Sequence, residues 1–122
     1  MKNQVTTIEQ WSTLQKLGVP EKMASLHYAF NDDQPELRLG RPPHSSCIPA
    51  YTVADLLEII PWAIDDIKCF ELRKVSDGYI AEYRSWPSVV TEIARSETAI
   101  DVLFQVVEHF FVRNNRNQEN ER

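Results

Sequence analysis

The sequence predicts one α+β domain: a mainly antiparallel sheet of three or four strands, two helices on one face, and an N-terminal helical hairpin at its edge or flank. Residues 69–75 and 79–84 alternate in polarity around Asp77-Gly78, a dipeptide that favours tight hairpin turns. Residues 99–111 then carry apolar residues at helical spacing. A strand hairpin followed by an amphipathic helix is typical of the α+β class.

Length and composition indicate one globular domain. The chain has 122 residues, of which 43% are hydrophobic and 25% charged. A chain of this length buries roughly two-thirds of its unfolded surface, which supports a core without metal or disulfide. We assign residues 1–112 to the domain. Residues 113–122 include four Asn and no apolar residue, so we expect them to form a disordered polar tail.

Charge and cysteine content narrow the classes of partner and compartment. The net charge of −5 disfavours phosphate backbones, so we expect no nucleic-acid partner. The most apolar stretch, residues 56–64, is too short to span a bilayer, and we expect no membrane partner. Residues 1–4 open no apolar run, so we expect no signal peptide. Cys47 and Cys69 are too few for a disulfide framework and indicate reduced thiols in a cytoplasmic protein.

The N-terminal part is predicted to be the helical hairpin. Thr6 and Glu9 have the spacing of a capping box, and apolar residues then recur every three positions. Gly18 can end this helix in the left-handed conformation. A second short helix is expected over 21–30, because the proline before it suits a helical first turn.

The middle of the chain alternates loop and helix. We expect a short edge strand at 37–39 and a proline-rich loop at 41–49. Thr52 and Asp55 form a second capping box, which opens a helix. Pro61 removes a backbone N–H and should end that helix.

The sheet and the last helix complete the predicted fold. A third strand is expected at 89–93, after the hairpin. One face of the hairpin is expected to meet water and to form cross-strand ion pairs through Glu71, Arg73, Glu82 and Arg84. The apolar stripe of the last helix is expected to pack on the opposite face and comprises Ala99, Ile100, Leu103, Phe104, Val107, Phe110 and Phe111.

Few side chains are candidates for metal binding or nucleophilic catalysis. His44 and Cys47 have the spacing of half a metal site, but a structural zinc site needs four ligands and the other thiol, Cys69, lies in a predicted strand. The same pair could act as a base and a nucleophile. Neither arrangement matches a known motif, so we assign no catalytic residue, no metal ligand and no cofactor.

A protein-binding patch is a more specific hypothesis. Tyr51 and Trp86 each lie near a proline and are expected to be partly exposed. Arg38 and Arg41 flank the same proline-rich loop as Tyr51. Aromatic and arginine side chains are enriched at protein interfaces. These four residues are therefore the predicted binding site for a protein partner.

Several stretches together resemble a family of small uncharacterised proteins of gut-bacterial phages and integrated mobile elements. The stretches are IEQ at 8–10, LGVPE at 17–21, ASLHY at 24–28, IPAYTVADLL at 48–57 with IP at 60–61, and GY at 78–79 with ETAID at 97–101. Tyr51 stands where the resemblance leads us to expect Trp. The resemblance implies a phage or mobile-element origin and transfers no functional residue.

Three functions stay open at this point. The first is a non-enzymatic protein-binding or accessory protein, because no chemical constellation is visible. The second is a small enzyme whose site assembles Cys47, His44 and a carboxylate in space. The third is a homodimer that self-associates through an exposed sheet face or an edge strand.

Overall fold

The computed structural model describes residues 4–43, 46–64, 68–85 and 89–120, with only the backbone of 89 and 117–120. Its helices are α1 (Ile8–Leu17), α2 (Val53–Ile59) and α3 (Ala99–Asn120), with a short 3-10 helix at Glu21–Met23. Its strands are β1 (Leu26–Asn31), β2 (Gln34–Leu39), β3 (Ile48–Ala50), β4 (Ala63–Ile64), β5 (Lys68–Val75), β6 (Gly78–Ser85) and β7 (Val89–Ser96).

The strands form two antiparallel sheets rather than one. The first has the order β2-β1-β3, and the second has the order β4-β5-β6-β7. The predicted α+β class and antiparallel pairing are confirmed. The prediction of a single sheet is wrong, because the region before α2 forms a sheet of its own.

The predicted second helix over 21–30 is wrong. Only Glu21–Met23 is helical, as one 3-10 turn, and β1 follows it. Asp32 and Asp33 turn the chain with φ angles of 52° and 65°, which are the left-handed values of a tight hairpin turn. β1 pairs with β2 on one side and with β3 on the other, so neighbouring strands supply its backbone hydrogen bonds.

The helix ends follow capping chemistry. The box that opens α1 is Thr7 with Gln10, one residue later than the predicted Thr6 and Glu9. Gly18 ends α1 with a φ of 88°, as predicted. The Thr52–Asp55 box is confirmed: Asp55 N–H donates to Thr52 Oγ1 at 3.1 Å.

The second sheet contains the predicted hairpin. β5 and β6 pair from Lys68↔Ser85 to Val75↔Gly78, so the turn is Ser76-Asp77 rather than Asp77-Gly78. β7 is the predicted third strand and pairs antiparallel with β6. The register shifts where Ala81 faces Ala94 and Glu82 faces Glu92, which leaves a bulge at Ile93.

The outer face of this sheet carries the predicted ion pairs. Arg73 lies 3.4 Å from Glu82, and Arg84 lies 3.2 Å from Glu71 and 3.5 Å from Glu82. Glu82 differs from the prediction in one respect, because its side chain is only 4% exposed. Ile80 on the same face is also buried and stands between its register partners Arg73 and Arg95.

The core is built around α3. This helix packs against β6 and β7, and both α1 and α2 pack against it. The Phe110 ring meets Tyr83 edge-on with ring centroids 5.7 Å apart. The helix therefore lies on the second sheet, against β6 of the hairpin and against β7. The most buried side chains of α3 are Val102, Leu103, Val106 and Val107.

The end of α3 differs from the expected boundary. The helix continues past Val112 to Asn120, through the segment that we expected to be a tail. Each residue added to an existing helix gains a backbone hydrogen bond, so polar residues can extend a helix that packing has already ordered.

Candidate functional site

The four predicted binding residues are not brought together as one patch. Arg38 lies exposed on β2, with its guanidinium 3.1 Å from Glu36, and Arg41 is exposed just after the strand. Trp86 lies outside the described residues. The expected exposure of Tyr51 is wrong, because its side chain is 1% exposed.

Tyr51 is buried because it joins three segments of the core. Its hydroxyl donates to the Pro20 carbonyl oxygen at 3.0 Å, and its N–H donates to Thr6 Oγ1 at 3.0 Å. Its own carbonyl oxygen accepts from the Thr6 N–H at 2.9 Å. Burial, with smaller contributions from the Glu21 and Asp55 charges, raises the pKa of Tyr51 to about 12.

The residues considered for chemistry do not form a described site. Cys47 is half-buried and Cys69 is exposed, both as free thiols, and His44 lies outside the described residues. Within the described ranges, no three His, Cys, Asp or Glu side chains are grouped as metal ligands. In that same part of the chain, no helix is both long and apolar enough to cross a bilayer.

An open groove lies between the start of α1 and the β1–β2 hairpin. It has a volume of about 640 Å³. Its lining comprises Val5, Thr7, Ile8, Glu9, Tyr28, Pro35 and Leu37. Most of these side chains are apolar, and Glu9 supplies the one charge among them. A groove of this kind suits an apolar segment of a partner better than a small polar ligand.

The hairpin wall of the groove is fixed by two hydrogen bonds. The Tyr28 hydroxyl donates to the Thr6 carbonyl oxygen at 2.9 Å and ties β1 to the segment before α1. His27 Nδ1 lies 2.9 Å from the Gly40 carbonyl oxygen and holds the end of β2 against β1. Burial raises the pKa of the Tyr28 phenol.

One face of the hairpin is apolar along its whole length. The register places Leu26 opposite Leu39, Tyr28 opposite Leu37 and Phe30 opposite Pro35. Leu26 is buried with Val5 and Ala50, and Tyr28 and Leu37 pack against them. The ends of the face are uncovered: Phe30 is 52% exposed and Leu39 is 86% exposed. This face, defined by the six residues of these three pairs, is called the hairpin apolar face below.

The outer edge of β2 is free. β1 is its neighbour on one side, and within the described ranges no strand pairs with the other side. The strand is exposed at every position but Leu37, which is half-buried. An exposed edge strand presents unpaired backbone donors and acceptors to any extended segment.

The direction of these backbone groups follows from the turn. Asn31 and Gln34 flank a two-residue turn and therefore form a hydrogen-bonded pair. Pairs alternate along an antiparallel ladder, so the backbone groups of Pro35, Leu37 and Leu39 point to the free edge. Pro35 lacks its N–H at a position where β1 does not need it, which explains how a proline fits in this strand.

The β7 edge of the second sheet is less accessible to a partner strand. β7 carries the bulge at Ile93, and bulges at an edge disturb regular pairing. A second described pocket, of about 210 Å³, lies at the start of β6 beside Gly78. Its lining includes two acidic residues and one basic residue, Asp77, Glu97 and Arg95. We take β2 as the candidate docking edge because the hairpin apolar face lies on the same strand.

Comparisons with protein-family models, curated proteins and solved structures give no match to this chain. The candidate site therefore rests on its own geometry.

Sequence reasoning missed this site because it assigned 21–30 to a helix. The signal that could have found it is the alternation of Leu26, Tyr28 and Phe30 before the Asp32-Asp33 turn. The same alternation follows the turn at Pro35, Leu37 and Leu39. Of the four residues of the predicted patch, the structure describes three, and of these Arg38 and Arg41 are exposed.

Proposed function

We propose that this protein is a non-enzymatic binding protein that takes up an extended segment of a partner protein along the free edge of β2. The partner strand continues the first sheet, and its alternate side chains reach the groove and the hairpin apolar face. Strand addition of this kind obtains affinity from backbone hydrogen bonds and specificity from the pockets for alternate side chains.

The observation that carries the proposal is the coincidence of a free strand edge with an apolar face whose two ends, at Phe30 and Leu39, are uncovered. Leu39, 86% exposed, stands on that strand beside the unpaired backbone groups. A monomer that leaves both features open is prone to nonspecific strand pairing. A partner that covers both removes that hazard and buries apolar area.

The origin and compartment belong to the same proposal. The resemblance described above favours a phage or mobile-element gene, and the two free cysteines favour the cytoplasm. Phage genes of related task lie near one another, so the neighbouring genes are the first candidates for a partner.

Site-specific photo-crosslinking tests the proposed docking edge. A photo-reactive amino acid replaces Leu39 in one variant and Trp62 in the control variant. Trp62 is a matched control because it is also a strongly exposed apolar residue, at 78%, but lies outside the first sheet. Irradiation in extract of the cells that encode the chain is expected to give a discrete protein adduct from position 39 alone.

A third variant separates strand addition from nonspecific hydrophobic association. Leu39→Pro with the photo-reactive residue at position 37 removes an outward N–H while β1 keeps its hydrogen bonds. The adduct is expected to weaken about tenfold relative to Leu39→Ala, which keeps the N–H, if one backbone hydrogen bond is lost. Equal adducts from positions 39 and 62, or no adduct from 39, contradict the proposal.

A further inference from the structure

We infer that the segment paired with β2 is β2 of a second copy, so that the protein forms a dimer with two-fold symmetry through this edge. The inference rests on the proposed docking edge and names its partner. It places the two-fold axis between Leu37 of one copy and Leu37 of the other, about which the two β2 strands pair antiparallel.

Charge complementarity fixes this register. With Leu37 opposite Leu37 of the second copy, Glu36 stands opposite Arg38 of that copy, and Arg38 stands opposite its Glu36. Both side chains are 52% exposed and already project from the same face of β2. Opposite charges at directly opposed positions stabilise a sheet, and like charges destabilise it. A shift of the strands by two residues loses both pairs.

The backbone groups fit the same register. The outward groups of Leu37 exchange hydrogen bonds with those of Leu37 in the second copy. Each Leu39 N–H meets the carbonyl oxygen of Pro35 across the axis. Of the outward-facing residues 35, 37 and 39 in each copy, only Pro35 lacks an N–H donor for this pairing.

The apolar residues also become continuous. A two-fold axis perpendicular to the sheet leaves both hairpin apolar faces on the same side. Leu39 of one copy then lies opposite Pro35 of the other, beside the central pair of Leu37 side chains. The exposed Leu39 gains an apolar neighbour, and the two sheets become one sheet of six strands, twice the three that each copy contributes.

Charge reversal tests this register by rescue. Glu36→Arg and Arg38→Glu each place like charges opposite each other in a homodimer. Sedimentation equilibrium of the native chain at about 10–200 µM, the range suited to a small interface, is expected to show reversible dimers. Each single variant is expected to raise the dimer dissociation constant about tenfold or more.

Two combinations of the charge reversals complete the test: a double variant and a mixture of the two single variants. The double variant Glu36→Arg with Arg38→Glu restores opposite charges across the axis, so its dissociation constant is expected to return to within about threefold of the native value. An equimolar mixture of the two single variants is expected to form heterodimers for the same reason. Arg95→Glu is the control, because it breaks the exposed Glu92 pair on the other sheet and leaves β2 unchanged.

Each outcome is decisive. A native chain that stays monomeric throughout this range overturns the inference, as does a dimer that the single reversals leave unchanged or that the mixture fails to restore. A monomer that still gives an adduct with a different protein from position 39 overturns self-pairing but leaves the proposed docking edge standing. Absence of any adduct from position 39 overturns the proposed edge as well.

Discussion

At the scale of single residues, a few buried polar groups hold distant segments together. Tyr51 and Thr6 exchange two hydrogen bonds, one between backbone groups and one from the Tyr51 N–H to the Thr6 hydroxyl, which join the start of the chain to the segment before α2. Asp55 caps α2 and also accepts the Ser25 N–H at 2.8 Å, although the residue is only 8% exposed. Removing one partner from such a site leaves the others desolvated and unpaired.

The buried tyrosines predict a loss of stability in alkali. Burial raises the pKa of Tyr51, and that of Tyr83, to about 12, against about 10 in the unfolded chain. The stabilisation is complete below pH 10 and is lost as the pH rises from 10 through 12, because ionisation favours the unfolded state. Urea unfolding across this range is expected to show a steady fall in the free energy of unfolding, of up to about 3 kcal/mol per tyrosine.

Tyr51→Phe separates this effect from general alkaline damage. The variant is expected to lose about 1 kcal/mol at pH 8, since the Pro20 carbonyl loses its donor. Its stability is expected to fall less steeply than that of the native chain between pH 10 and 12. Parallel curves for the two proteins contradict the assignment of that fall to Tyr51.

Asp55→Ala is expected to destabilise the protein by about 2–4 kcal/mol, because it leaves the N–H groups of Ser25 and Thr52 without their acceptor. Thr7→Ala is the matched control, since Thr7 opens the capping box of α1 at an exposed position, where its Oγ1 accepts the Gln10 N–H at 3.1 Å. That variant is expected to cost about 1 kcal/mol or less. Equal losses in denaturant unfolding contradict a special role for Asp55.

At the scale of elements, strand approach and turn geometry decide which residues are tolerated. The start of β6 lies directly against the end of β7, and Gly78 is the residue at the point of contact. The β1–β2 turn instead uses two aspartates with positive φ. Asp and Asn are enriched among nonglycine residues in this conformation because their side chains bond locally.

Gly78→Ala is expected to destabilise the second sheet by about 3 kcal/mol, from backbone strain and a forced shift of β7. Its added Cβ would stand 2.2 Å from the Ser96 carbonyl oxygen, at a φ of 153°. Gly40→Ala is the matched control, because its φ of 93° is also strained but no atom lies within 4 Å. That variant is expected to cost about 1–2 kcal/mol, measured by urea unfolding. A larger loss for Gly40→Ala contradicts the close-approach argument.

At the scale of the whole molecule, α3 links the second sheet to the other two helices. It packs against β6 and β7 on one side and against α1 and α2 elsewhere. α1 in turn contacts β3 of the first sheet. The two sheets are therefore coupled through helices, and we expect them to unfold as one unit.

Leu103→Ala tests this coupling. The residue is fully buried in α3, so the change is expected to cost about 2–5 kcal/mol. Leu57→Ala on α2 is the control, because Leu57 is 41% exposed and its loss is expected to stay below about 1 kcal/mol. Circular dichroism and tryptophan fluorescence should report the same lowered midpoint. Two separate transitions contradict a single cooperative unit.

The sequence alone determined the features that depend on neighbours along the chain. Capping of α2, the end of α1 at Gly18, the β5–β6 hairpin and the apolar stripe of α3 all follow from local spacing. Short-range rules suffice there because the interacting groups are close in sequence.

The tertiary structure decided what distant contacts fix. Local spacing allowed a helix over 21–30, and pairing with β2 and β3 made most of it a strand. Its position near a proline predicted that Tyr51 is exposed, but Tyr51 is buried in contact with Thr6 and Pro20. The free edge of β2 likewise depends on which strands find partners. Long-range pairing selects among states that local propensity leaves close in free energy, so such features are visible only in the folded chain.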